Sequence, residues 1–161
     1  MKIWKTILSL LGITAVGGII WTSKKSLDKA NDVKKRYKDY YDVMNQWLRN
    51  KNENKKIIDY FVNNGYHTLA IYGMGELGNR LYEELKETDI KITYFIDKNA
   101  EEIYYGLDDI PVVGLEEIKN QDKVDAIIIT PIYDFDSIEE SLSEYDIDAE
   151  IISLEDVIYE M

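Results

Sequence analysis

Cysteine is absent from this 161-residue chain, and histidine occurs only once, at His67. Without cysteine the chain has no disulfide, no thiolate metal ligand and no cysteine nucleophile. A single histidine argues against a zinc site and against a Ser-His-Asp triad. No other acid–base constellation stands out in the sequence. We therefore expect no metal site and no catalytic residue.

Charge is distributed unevenly along the chain, whose formal net charge is −12. Residues 1–56 contain 13 Lys or Arg against 5 Asp or Glu, whereas residues 57–161 contain 6 against 26. The sequence thus joins a basic region to a strongly acidic one. Because the acidic region should repel polyanions, we do not expect nucleic acid as a partner.

The basic region begins with an apolar run, which is free of charge from Thr6 to Thr22. Extended back to Ile3, the run is long enough to cross a hydrocarbon core as a helix. We predict a transmembrane anchor over residues 1–24 that contacts the bilayer through residues 3–22. Lysines are more numerous after the run than before it, which places the C-terminal domain in the cytoplasm. A cleaved signal sequence and a buried helix of a soluble fold are the alternatives.

Residues 25–51 have the pattern of a basic amphipathic helix. Apolar residues recur with heptad spacing, free of Gly and Pro, at Ala30, Val33, Tyr37, Tyr40, Met44 and Trp47. Two interpretations stay open: self-association through residues 26–49 as a short coiled coil, or packing of the stripe onto the following domain.

From residue 52 onward, strand and helix patterns alternate. Strands are predicted at 68–72, 91–96, 110–113, 124–130 and 150–153, and helices at 55–64, 77–86, 116–120, 137–145 and 154–159. Such alternation indicates a parallel sheet covered on both faces. We predict an α/β, Rossmann-like domain over residues 52–161, with about five parallel strands and helices on both faces.

The first predicted strand runs into Gly73-Met74-Gly75-Glu76-Leu77-Gly78, a G-x-G-x-x-G motif that opens a helix. In a dinucleotide-binding loop the glycines permit the turn, the approach of the pyrophosphate and close helix packing, and the helix start binds the phosphate. Asp97 ends the second strand and can accept from ribose hydroxyls. With Thr130, these residues form the predicted cofactor site, and Asp97 favours NAD or a nucleotide sugar over NADP.

Two observations weigh against a ligand. The glycines also suit a plain strand-to-helix turn that binds nothing, with Asp97 as an ordinary loop carboxylate or cap. Glu76 lies near the helix start, where its charge competes with phosphate.

The segments Ile71–Gly78, Tyr94–Asp97, Ile110–Gly114 and Asp125–Ile129 follow one another in a recognisable order. In this order the chain resembles the small front Rossmann domain of CapD-type polysaccharide-biosynthesis nucleotide-sugar epimerases and dehydratases. Those enzymes carry catalysis in a second, larger domain. The resemblance therefore implies a non-catalytic accessory or sensor that binds NAD or a nucleotide sugar and works with polysaccharide-biosynthesis enzymes. A ligand-free scaffold and a subunit completed by a catalytic partner are the alternatives.

Overall fold

The structure is a computed structural model that describes residues 2–102 and 107–161, with side chains from residue 23 onward. The helices are Lys2–Asn52 (α1), Ile57–Asn63 (α2), Glu76–Leu85 (α3), Phe135–Ser143 (α4) and Leu154–Glu160 (α5). The strands are Thr68–Tyr72 (β1), Lys91–Ile96 (β2), Val112–Val113 (β3), Ala126–Ile129 (β4) and Glu150–Ser153 (β5). Short 3₁₀ helices occupy Ala100–Glu102, Leu115–Asn120 and Ile132–Asp134.

The chain divides into two compact units, Met1–Asp39 and Tyr40–Met161. The predicted anchor at residues 1–24 falls almost entirely on residues whose side chains lie outside the described part. Within the part that is described, no helix is long and apolar enough to cross a membrane.

The second unit is built on a sheet of five parallel strands in the order β3-β2-β1-β4-β5. This order and direction confirm the predicted Rossmann-like parallel sheet, because they match the first five strands of the doubly wound dinucleotide-binding fold. The order reverses between β1 and β4, so the carboxyl ends of these two strands border the crevice where such folds bind ligands.

Both faces of the sheet are covered, which explains its apolar central strands. All four residues of β4 are fully buried, as in a strand with helices on both sides. Leu69 and Ile71 of β1 pack into one core cluster, and Ala70 and Tyr72 into the other. Helices α2, α3 and α5 cover the first face, whereas α4 and the 3₁₀ helix Leu115–Asn120 cover the second. The predicted helix at 116–120 is therefore a single short 3₁₀ segment.

A β-bulge interrupts β2. The parallel register pairs Leu69 with Ile92 and then Ala70 with Tyr94, which leaves Thr93 as an extra residue. As a result, Ile92 packs into the first core cluster and Tyr94, only two positions later, into the second. The hydroxyl of Thr93 is buried without a hydrogen-bond partner in the described structure.

The C-terminal end of α1 packs onto the sheet domain and belongs to the second unit. Val43 and Trp47 are buried in the first core cluster, with Tyr40 and Met44 half-buried beside them. The fully buried Asn50 donates from Nδ2 to the carbonyl oxygen of Ile158 at 2.6 Å. From Tyr40 onward, the predicted heptad stripe thus packs onto the following domain, which was one of the two interpretations of the sequence. Self-association through residues 26–49 stays a prediction.

We predict that Asn50→Ala lowers the free energy of unfolding by about 1–3 kcal/mol, because it leaves the carbonyl of Ile158 without its donor. Urea denaturation of the full-length chain measures this loss. Asn52→Ala, at an exposed position two residues later, is the matched control and should change stability by less than about 0.5 kcal/mol. Equal stability of the two variants would contradict the proposed role of Asn50.

Tyr82 of α3 forms a hydrogen bond with the segment that precedes β3. Its hydroxyl donates to Asp108 Oδ2 at 2.7 Å, and its ring meets Phe95 edge-on. Burial, and then the bond to Asp108, raises the pKa of Tyr82 to about 12.

A folded-state pKa above the unfolded value of about 10 means that the neutral phenol stabilises the fold fully below pH 10. That stabilisation is lost as the pH rises towards 12. We predict that Tyr82→Phe has a shallower loss of stability over this range than the wild type, measured by denaturation at successive pH values. The exposed Tyr159 supplies the control, and an identical pH slope in Tyr82→Phe and Tyr159→Phe would contradict this account.

Candidate functional site

The predicted site residues come together at the carboxyl edge of the sheet. The loop Gly73–Gly78 joins β1 to α3, while Asp97 follows β2 and Thr130 follows β4, the two strands that flank β1. The backbone N–H of Gly73 donates to the carbonyl of Ile96 at 2.7 Å, which ties the loop to the end of β2. The loop therefore sits at the point where the strand order reverses.

Gly73 and Gly78 are required by the packing of the loop itself. Gly73 has a φ of +94°, and a Cβ there would come within 2.9 Å of Thr130 Oγ1. A Cβ on Gly78 would overlap the carbonyl oxygen of Gly73, far inside van der Waals contact. The two glycines allow α3 to start directly against the end of β1.

Gly75 differs from both. It is the N-cap of α3 with extended backbone angles (φ −79°, ψ −169°), and a Cβ there would find no described atom within 4 Å. No side chain of the described residues caps this helix end. The backbone N–H groups of Glu76 and Leu77 in the first turn lack intrahelical acceptors, so they are available to an anion that approaches over Gly75.

Asp97 bonds to the loop rather than pointing freely into solvent. Its Oδ2 accepts from the backbone N–H of Met74 at 2.9 Å, and its Oδ1 accepts from that of Asn99 at 2.9 Å. The carboxylate is half-buried. Burial, followed by the nearby charge of Asp97, raises the pKa of Tyr72. Since each carboxylate oxygen has a further lone pair, Asp97 can cap the loop and still accept from a ribose hydroxyl.

Thr130 serves the loop from the other side. Its side chain is buried, and its hydroxyl lies 2.9 Å from the carbonyl oxygen of Tyr72 and 3.2 Å from that of Gly73. A hydroxyl has one proton and donates to one acceptor at a time, so the closer Tyr72 carbonyl is its main partner. The hydroxyl predicted as a ligand contact is thus engaged in holding the end of β1.

The remaining side chains of the loop are either buried in the core or paired along α3. Leu77 is buried in the first core cluster, and the half-buried Met74 packs against that cluster. These two residues can therefore contribute only backbone groups to a phosphate. Glu76 Oε1 lies 2.6 Å from Arg80 Nη2, one helical turn along the exposed face of α3. This pair draws the carboxylate along the helix and neutralises its charge, which reduces the competition with phosphate expected from Glu76 alone.

Sequence reasoning missed two contributors to the site. Arg80 places a cation one turn from the loop, and its i,i+4 spacing from Glu76 was the available signal. Pro131 packs over Gly73, within 3.0 Å of where a Cβ would stand, and no local pattern announces such a contact. Among the described residues, no group of three or more His, Cys, Asp or Glu is arranged to hold a metal ion.

Comparison with known proteins identifies the domain that carries this loop. The family model of the C2185-like N-terminal domain matches residues 65–153, which is more than half of the chain. The chain belongs to the C2185-like N-terminal domain family. The match begins just before β1 and ends at the last residue of β5, so it covers the whole sheet and the glycine loop. No curated protein and no solved structure matches the chain.

The different environments of the glycines lead to a prediction about stability. Gly78→Ala should lower the free energy of unfolding by about 1–3 kcal/mol, because the new methyl group meets backbone that cannot rotate away. Gly75→Ala should cost less than about 1 kcal/mol, since its methyl group meets open space and only the cap preference changes. Urea titration of both variants compares them, and a Gly75→Ala variant as unstable as Gly78→Ala would contradict this assignment.

Proposed function

We propose that this C2185-like domain is a nucleotide-binding module that holds the diphosphate of NAD or of a nucleotide sugar at the start of α3. The observation that carries the proposal is the environment of Gly75. Of the three glycines in the motif, Gly73 and Gly78 are explained by packing alone, whereas Gly75 meets open space at a helix end that no described side chain caps. A pyrophosphate approaches the backbone at this position in dinucleotide-binding loops.

The nearby side chains suit the rest of such a ligand. Asp97 is held by Met74 at the end of β2, within reach of a ribose that follows the diphosphate. Its negative charge would repel a 2′-phosphate, so NAD and nucleotide sugars fit better than NADP. Arg80, one turn along α3, offsets the negative charge of Glu76 near the phosphate position.

The biological role that we propose is that of a non-catalytic accessory or sensor in surface-polysaccharide assembly. The support is the resemblance of the sequence to the front domains of CapD-type enzymes, together with the absence of a recognisable catalytic constellation from the sequence. The apolar run of residues 3–22 would tether the module to the membrane, with the nucleotide-binding domain in the cytoplasm.

Binding is tested by titrating the full-length chain with NAD⁺, NADH, NADP⁺ and UDP-glucose while thermal unfolding is followed. At a hundredfold excess over Kd, a true ligand should add about 2.7 kcal/mol of stability. We expect a shift with NAD⁺, NADH or UDP-glucose, and a smaller one with NADP⁺. No shift with any of the four would contradict the proposal.

Gly75→Asp separates binding from folding. Asp is a better N-cap than Gly, so the variant should be as stable as the wild type or a few tenths of a kcal/mol more stable. Its carboxylate would occupy the anion position and repel phosphate, so nucleotide binding should be lost. Gly114→Ala is a control at a second N-cap glycine with open surroundings. Undiminished binding to Gly75→Asp would rule out this loop as the site.

A ligand-free interaction module is the second candidate, and the surface of α1 favours it. Seven large apolar side chains are exposed among the described residues, and five of them lie on α1: Leu27, Val33, Tyr37, Tyr41 and Leu48. Leu27, Val33 and Tyr37 lie in the first unit, and Tyr41 and Leu48 in the second. Within each unit, exposed apolar side chains on a helix favour contact with another protein. Retained partner binding by the Gly75→Asp variant would support this second function.

A further inference from the structure

A hollow of about 470 Å³ lies at the edge of the sheet opposite the glycine loop. Its walls come from the two connections that lead into β4 and β5, residues 121–124 and 145–149, and from the 3₁₀ helix Leu115–Asn120. This six-residue 3₁₀ helix is the only helix between β3 and β4. The volume of the hollow falls within the range of about 300–1,000 Å³ that is usual for small-molecule sites.

Tyr94 is the deepest polar residue of the hollow. It is 2% exposed and lines the hollow from the second face of the sheet, where the bulge at Thr93 directs it. Its hydroxyl forms no hydrogen bond with any residue that the structure describes. Burial raises the pKa of Tyr94, so the phenol stays protonated and can donate a hydrogen bond. This hydroxyl is not one of the buried atoms that lack a partner, which belong to Trp47, Asn79 and Thr93. Because Tyr94 lines the hollow, its hydroxyl can donate to an acceptor that enters it.

Part of the lining is apolar and includes an aromatic ring. Ile118 and Val124 are buried, and Tyr145 and Ile147 are half-buried. Together they offer surfaces on which a flat ring can pack. The hollow therefore combines a tyrosine hydroxyl and an apolar patch with charged side chains, and small-molecule sites likewise combine apolar surface with a few polar groups.

The rim carries charges that nearly cancel. Lys119 and Lys123 face three carboxylates, those of Asp122, Asp146 and Asp148. Lys123 and Asp148 form an ion pair at 2.7 Å, and both are exposed. The rim thus gives no strong preference for an anion or a cation, in contrast to the helix start at the glycine loop.

We propose that this hollow binds an uncharged heteroaromatic ring that carries a hydrogen-bond acceptor, the chemistry of a nucleobase. Tyr94 donates to the acceptor, and the ring packs between Tyr145 and the apolar wall formed by Ile118 and Val124. This site is separate from the proposed nucleotide site, because it lies at the amino ends of β4 and β5 rather than at the carboxyl end of β1. Its occupation does not depend on the glycine loop.

A pair of probes of equal shape tests the proposal on the full-length chain. Benzimidazole has a ring nitrogen that accepts a hydrogen bond, and indole lacks this nitrogen. In an NMR titration, benzimidazole should move the resonances of Ile118 and Ile147 saturably. Tyr94→Phe should weaken benzimidazole about five- to tenfold, the effect of one lost hydrogen bond, and leave the affinity for indole unchanged.

Controls keep the result specific. Tyr94→Phe should unfold at the wild-type temperature, because the deleted hydroxyl has no hydrogen-bond partner among the described residues. Tyr159→Phe, at an exposed tyrosine, and Gly75→Asp should bind benzimidazole as the wild type does. Because Gly75→Asp should lose nucleotide binding at the glycine loop, unchanged benzimidazole binding in this variant separates the two sites, and the failure of one proposal leaves the other standing.

Adenine and AMP, titrated as competitors, identify the natural source of the ring. Displacement of benzimidazole by either competitor supports the nucleobase assignment. If AMP displaces benzimidazole less well than adenine does, the natural ligand is the free base rather than the nucleotide. Three results would overturn the proposal: no saturable binding of benzimidazole, equal affinity for the wild type and Tyr94→Phe, or resonance changes confined to the glycine loop.

Discussion

The fold and its candidate site depend on one close approach, that of α3 to the end of β1. Gly78 lies so near the carbonyl of Gly73 that no side chain fits between them, and the hydroxyl of Thr130 holds the carbonyl of Tyr72 at 2.9 Å. These contacts join β1, β4 and α3 at the point where the strand order reverses. The helix start is thereby directed at the crevice, and its free N–H groups become the feature of this edge that can attract an anion.

Most polar side chains at this edge already have partners within the chain. Asp97 accepts from Met74, Thr130 is engaged with β1, and Glu76 pairs with Arg80. These internal bonds tie the loop to the ends of β1 and β2, and if a ligand binds there, a loop already held in place lowers the entropic cost. They also limit the donors that a ligand can use, because the free backbone N–H groups lie at the position over Gly75. Such an arrangement suits a binding module.

Much of the fold could be predicted from the sequence because its strands are short, apolar and clearly bounded. The predicted limits of β1, β2 and β5 agree with the structure, and the parallel five-strand sheet follows from the alternation of strands and helices. The predicted strand at 110–113 is reduced to Val112–Val113, since Pro111 has no N–H to give to a strand pairing. The bulge at Thr93 could not be foreseen, because it depends on register with a neighbouring strand rather than on local pattern.

The site was less predictable than the fold for a related reason. The motif identifies the loop, but the tasks of its residues depend on distant contacts. Thr130, whose contact with a ligand stays a prediction, also donates to the carbonyl of Tyr72, and the partner of Asp97 lies 23 residues earlier in the chain. In α1, the spacing indicated an apolar stripe, yet only the structure shows that Val43 and Asn50 are also buried against the domain.

The central claim is that the start of α3, left open by Gly75, is an anion site. It is tested most directly by titrating the isotope-labelled full-length chain with inorganic pyrophosphate and following the backbone amide resonances by NMR. The account predicts saturable shifts at Gly75, Glu76 and Leu77, none at the control glycine Gly114, and loss of the shifts in Gly75→Asp. Unmoved resonances at Glu76 and Leu77 up to millimolar pyrophosphate, or equal shifts in the variant, would contradict it.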